Sequence, residues 1–344
     1  MVRKLLITVL VAVLLVLPWV TSGSGPEFVT DMLAYVVLAV ALYVQIGLVG
    51  LVNFGFSAFF GLGAYVGALA MMKLSPSLFI SLPLTVLAVA VVAAAFGALA
   101  IRTRETAFTI LTLTFSQLLY VLAVADDKWT NGVNGLTGVP RPRAPSWLID
   151  ATGLSFDSDT GFYYLVLVLA SLVVLGVHVL QRSRLGAVFA GIRENEERMT
   201  VLGYPVLHYK LAAFVISASL GSIAGYLNAA LLGYVGPGSL FWTVSGEAIL
   251  MVTLGGTASL LGPVVGAVGF IGISHFAVGI TDHWRLFVGL AFIAIMLFAP
   301  SGLVPIVRDL LARRREQTGT TSTISNTEVL PSTHSGLPRQ EEAV

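Results

Sequence analysis

Of 344 residues, 56% are hydrophobic and only 11% charged. Soluble domains carry about 25% charged residues, so this chain cannot cover a water-facing surface and needs a bilayer as part of its solvent. A net charge of +1 offers no basic face for nucleic acid, and the absence of cysteine excludes disulfides, thiolate catalysis and Cys-ligated metals.

A spanning helix needs about 20 mostly apolar residues. Ten hydrophobic segments follow one another, near 5–21, 31–50, 57–73, 78–101, 106–125, 162–181, 210–232, 246–257, 262–280 and 285–299. They predict an all-α, polytopic membrane protein with one or two interrupted helices. The first segment follows Arg3-Lys4 and precedes Thr21-Ser22-Gly23-Ser24-Gly25, so it also fits a secretory signal peptide. An uncleaved first helix is the plainer reading. The eighth is short and breaks at Gly255-Gly256, as a half-helix would. The membrane part is placed at 1–304. A polar tail occupies 305–344, and from about 316 its Ser, Thr, Gln, Glu and Pro content predicts disorder.

Lys and Arg favour the cytoplasmic side. With the N-terminus inside, 14 of the 19 Lys and Arg fall on inside segments and 5 outside. This bias predicts an even number of spans, both termini in the cytoplasm, an outer loop at 126–161 and a cytoplasmic segment at 182–209.

Three stretches depart from plain spanning helices. In the first, glycine recurs at 47, 50, 55, 61, 63 and 67 around the polar Asn53, followed by Phe56 and Ser57. Small residues let helices approach closely, and broken backbone in a bilayer needs a protein or aqueous cover. Close packing and an interrupted helix beside a translocation path both fit. The second, 186–203, places Val188, Ile192, Met199 and Leu202 at one helical face, with Arg193, Glu194 and Glu197 elsewhere. It predicts a short amphipathic helix that docks on a protein partner or lies on lipid. The third is Ser245-Gly246-Glu247, with an apolar run to Gly255-Gly256 and Gly262-Pro263. Ser245 could cap a helix whose dipole favours Glu247; alternatively Glu247 is an intramembrane carboxylate on a substrate route. The five histidines show no metal-ligand spacing, and no phosphate-binding G-x-x-x-x-G-K-[ST] loop occurs. Any ATP is bound by another chain.

These stretches resemble the LivM-type permease subunits of branched-chain amino acid ABC transporters, from about residue 30 to 304. The resemblance rests on Leu51-Val52-Asn53-Phe54-Gly55 through Gly61-Leu62-Gly63-Ala64-Tyr65 and on Asn134-Gly135-Leu136-Thr137-Gly138-Val139-Pro140. Ile192-Arg193-Glu194-Asn195-Glu196, with Leu202-Gly203, resembles the family's coupling segment. Tyr209-Lys210-Leu211, Trp242-Thr243, Ser245-Gly246-Glu247, Gly255-Gly256 to Gly262-Pro263 and Phe298-Ala299-Pro300-Ser301-Gly302-Leu303 complete it. Departures are Phe56, where the family usually has His or Gln, Gln45 for Asn, Ala187 for Arg, and Arg198-Met199 for an Ala pair.

The resemblance implies a transport subunit, not an enzyme, in a bacterial cytoplasmic (inner) membrane. It implies a second similar permease, two cytoplasmic ATP-binding subunits holding ATP and Mg, and an extracytoplasmic substrate-binding protein, with lipid around the complex. Asn53, Phe56, Ser57, Glu247, Gly255 and Gly256 are the expected pathway residues. Gly191, Ile192, Arg193, Glu194, Asn195 and Glu196 are the expected ATPase contacts. Urea or short amides are alternative cargoes, and an ion-coupled secondary transporter is an alternative mechanism.

Overall fold

The computed structural model describes residues 25–144 and 155–280, together with Leu286, Gly289, Leu290, Ile293, Leu297 and Gly302. Ten α-helices occupy this range. They are α1 (Gly25–Tyr43), α2 (Ser57–Leu69), α3 (Leu78–Ala100), α4 (Glu105–Ala125) and α5 (Asp159–Arg182), then α6 (Arg184–Glu194), α7 (Glu196–Val201), α8 (Val206–Leu232), α9 (Trp242–Gly255) and α10 (Leu261–Ile280). Helices α1 and α2 each run on into a π-helical turn, Val44–Val49 and Ala70–Leu74.

Among the described residues, seven helical stretches are long and apolar enough to cross a bilayer, and α9 is a shorter apolar helix. The chain is therefore an all-α, multi-pass membrane protein. Segment 5–21 and the tail 305–344 lie outside the described residues. So does most of 285–299, although its described positions Leu286, Gly289, Leu290, Ile293 and Leu297 are helical.

Helix α1 is the axis of the fold. Its run Val36–Leu42 is apolar on every face and fully enclosed, which is how a helix without a polar side must sit. It packs against α5, α8, α9 and α10, while α8 also packs on α2 and α3. The peripheral helices invert the pattern of a soluble protein. On α3 the buried positions are small or polar, Ser81, Thr85, Val89, Ala93, Gly97 and Ala100, one per turn. Large apolar side chains such as Phe79, Leu87, Val91 and Leu99 face outward. Apolar tails outside leave no hydrophobic drive between helices, so contact is made by small residues and hydrogen bonds. The Ser81 and Tyr226 hydroxyls meet at 2.7 Å, and Gly97 receives the Phe214 ring.

The α2–α8 crossing shows why glycines recur there. A Cβ on Gly63 would lie 2.3 Å from the Ser222 carbonyl oxygen, and one on Gly225 would lie 1.9 Å from that of Phe60. The Gly63-x-x-x-Gly67 spacing is thus a packing seam, with Gly67 against Tyr226.

The only strands among the described residues are two-residue pieces. β1 (Leu136–Thr137) pairs antiparallel with β2 (Tyr234–Val235), and Val139 N–H donates to the Gly233 carbonyl. This ties the Asn134–Pro140 motif to the C-terminal end of α8.

Candidate functional site: two helix breaks and the segment that bridges them

The first break separates α1 from α2. The π-turn at the end of α1 closes when Gly50 and Leu51 N–H donate to the Gln45 carbonyl. Gly50 then takes φ +86°, a left-handed conformation that glycine adopts without strain. Backbone freed from a helix must find other partners inside a membrane protein. Asn53 supplies them: its Nδ2 donates to Gln45 Oε1 at 3.1 Å, and its Oδ1 accepts from Gly55 N–H at 2.8 Å. Gly55 lies against the Thr112 carbonyl, leaving no room for a side chain.

Asn53, Phe56 and Ser57 are all enclosed, with 0%, 0% and 1% exposure. Phe56 fills the space beside Gly221 and meets Phe59 edge-on at 6.3 Å between ring centres. Ser57 starts α2 and binds α9. Its N–H donates to Ser245 Oγ at 2.7 Å, the Ser245 hydroxyl donates to Ser57 Oγ at 2.9 Å, and Ser57 Oγ donates to the Leu240 carbonyl. Ser245 is therefore not a helix cap. Helix α9 begins earlier, after Phe241, so Ser245 lies inside it and is free to reach across to α2. Glu247 sits beyond the first turn for the same reason, and the dipole account does not apply to it. It is partly buried.

The second break joins α9 to α10 and is built from bare backbone. Gly256 leaves α9 at φ +97°. A Cβ on Gly255 would fall 1.6 Å from the Gly262 carbonyl oxygen, and one on Gly302 would fall 2.4 Å from Gly256 Cα. The late glycine pair and the glycine of the closing motif thus pack on each other.

Segment 186–203 is two helices, not the single amphipathic helix predicted. Asn195 is extended (φ −161°) and divides them, and its Oδ1 caps α7 by accepting from Arg198 N–H at 2.8 Å. The break resets the helical register, so the expected face does not hold. Phe189 and Ile192 are the buried anchors, Val188 and Met199 are half-buried, and Leu202 is exposed. Gly191 accommodates the Met199 side chain, while Glu194, Asn195 and Glu196 are exposed. Glu196 pairs with Lys210 at the start of α8.

Arg193 connects this segment to both breaks. Its guanidinium donates to the Gly47 carbonyl at the end of α1, and to the Thr257 carbonyl and Oγ1 at 3.5 and 3.4 Å in the α9–α10 break. Its Cγ would lie 3.3 Å from a Cβ on Gly50. No spacing rule pointed to these contacts. The other overlooked residue is Asp31, a half-buried carboxylate in α1 that accepts from Asn228 Nδ2 at 3.3 Å.

Comparison with known proteins gives the arrangement its context. A family described as branched-chain amino acid transport system, permease component, matches residues 27–297. The high-affinity branched-chain amino acid transport system permease protein LivM of Salmonella typhimurium is 28% identical over 331 residues, covering 92% of this chain and 78% of the relative. Its Escherichia coli counterpart is 28% identical, covering 90% and 76%. BraD of Pseudomonas aeruginosa, a permease protein of the same description, is 24% identical, covering 78% and 91%. No solved structure matches the chain. It is a transport subunit, not an enzyme, and it belongs to the permease family of branched-chain amino acid transport systems.

Proposed function

We propose that this chain forms half of the translocation path of an ATP-driven importer for branched-chain amino acids in a bacterial cytoplasmic membrane. The observation that carries the reading is Arg193. It fastens the segment that resembles the family's coupling region to both helix breaks. A pull on α6 and α7 would therefore reach α1 and the α9–α10 turn together.

In this reading both termini lie in the cytoplasm, and the exposed Glu194–Arg198 surface meets one of two ATP-binding subunits, which hold ATP and Mg. A second, similar permease completes the path. An extracytoplasmic binding protein delivers the amino acid to the end of the bundle that carries β1 and β2. The outward apolar faces of α3, α4 and α5 meet lipid or the second permease.

An ion-coupled transporter is the second reading, favoured by one observation: Asp31 joins Glu247 as an acid within the helical bundle. Uptake of labelled leucine into proteoliposomes separates the two. The expected result is uptake that requires ATP and the ATP-binding subunits. Uptake that persists without them overturns the importer reading.

A further inference from the structure

At the end of the bundle marked by β2, the structure holds a cavity of about 310 Å³. That is near the lower end of the range for small-molecule sites, roughly 300–1,000 Å³. Its wall is made by α1, α2, α8, β2 and the turn leading into α9. Phe60, Leu232, Val235 and Val244 form an apolar surface, while Tyr35 and Asn228 are polar groups on it.

The polar groups are organised. Asp31 lies one turn before Tyr35 on α1, and its carboxylate accepts from Asn228 Nδ2. An ionised carboxylate is acceptor-only, so it fixes which way the amide faces. Asn228 Oδ1 is thereby turned away from Asp31 as a carbonyl acceptor, and it makes no hydrogen bond among the described residues. The Tyr35 hydroxyl likewise makes none, although its ring stacks on Phe60 at 6.4 Å between centres. Asp31 forms no ion pair among the described residues. A carboxylate kept inside a helical bundle is costly, and such groups usually serve a transported species.

We propose that this cavity binds the ammonium end of the transported amino acid. Asn228 supplies the acceptor, Asp31 behind it supplies the negative charge, and Phe60, Leu232 and Val244 receive the aliphatic side chain. The site selects for a primary ammonium group, so within this chain urea and neutral amides are poor cargoes. The proposal rests on the amino acid importer reading and adds a recognition step inside the membrane subunit.

The test uses the assembled, detergent-purified transporter without its binding protein, with labelled leucine as probe. Isoamylamine carries the ammonium and side chain alone, and 4-methylpentanoate the carboxylate and side chain. Leucine is expected to bind and to be displaced by the amine more readily than by the acid. Asp31→Asn is expected to weaken binding by about tenfold or more, because it removes charge from a desolvated contact, and Asp31→Glu is expected to restore much of it. Displacement by the acid alone, displacement by sodium or potassium, or wild-type affinity in Asp31→Asn overturns the site. If Asp31→Asn does not assemble, Asn228→Ala and Tyr35→Phe carry the test, and unchanged binding in both overturns it. Failure of the wild-type complex to take up any amino acid overturns the importer reading itself. Uptake without leucine binding to the complex overturns only the site.

Discussion

The two helix breaks solve one problem by opposite means. Between α1 and α2 the freed backbone is answered by side chains: Asn53 holds Gly55 N–H and Gln45, and Ser57 is held by Ser245. Between α9 and α10 it is answered by the removal of side chains. Gly255, Gly256, Gly262 and Gly302 meet backbone to backbone. Among the described residues, each break also has one buried polar atom with no hydrogen-bond partner, Gln45 Nε2 in the first and Ser259 Oγ in the second. One break is specified by chemistry and the other by shape, and they should fail differently under substitution.

The largest effect is expected where shape decides. At Gly255 a Cβ would sit 1.6 Å from a carbonyl oxygen, and both partners are backbone that cannot swing aside. Gly255→Ala should cost about 3 kcal/mol or more, the upper end of overpacking penalties. The measurement is thermal stability and yield of the purified chain with its partners. A stable, fully assembled Gly255→Ala protein would show that the second break is loosely packed, and the contrast between the breaks would fall.

Where chemistry decides, the loss should be smaller and should follow polarity. Asn53→Leu keeps most of the volume but strands Gly55 N–H and Gln45 Oε1, a cost of about 2 kcal/mol. Asn53→Ala should be no milder, because space is not the difficulty. The chain has no native cysteine, so single cysteines report access cleanly. Cysteines at Asn53, Phe56 and Ser57 should resist water-soluble reagents in the resting protein, since these positions are at most 1% exposed. Labelling that appears only during ATP turnover would mark the first break as a moving part of the path. Protection throughout would reduce it to packing.

Much of this was legible in the residues, and the misses share a cause. Glycine recurrence and a lone Asn in apolar sequence signal a break, because only small residues and a self-satisfying amide tolerate one in a bilayer. The short eighth segment is indeed a short apolar helix that ends at Gly255. Ser245, by contrast, looks like a cap in its local context. Its actual partner, Ser57, lies 188 positions away, and no local pattern encodes that. Val188 and Leu202 share a face only on an unbroken helix, and Asn195 breaks it. Asp31 passes unnoticed at the edge of an apolar run, but α1 begins at Gly25 and carries it inside. Local rules thus recover where the chain bends. They do not recover what each bend touches.

The smallest effect on stability is expected at Arg193, and it bears on both breaks at once. The side chain is mostly exposed and its bonds to Thr257 are long, at 3.4 and 3.5 Å, so Arg193→Ala should cost below about 1 kcal/mol of stability. Its consequence should instead be functional. A guanidinium offers five N–H donors on a planar fork and can hold Gly47 and Thr257 together, whereas an ammonium is a single point of attachment. Arg193→Lys should therefore keep the charge but release one break from α6. Leucine uptake per ATP hydrolysed should fall in both variants, with Lys recovering only part. If Lys restores full coupling, charge alone matters and the two breaks need no common tether. If Ala leaves coupling intact, the segment reaches the membrane helices through Phe189 and Ile192 packing instead.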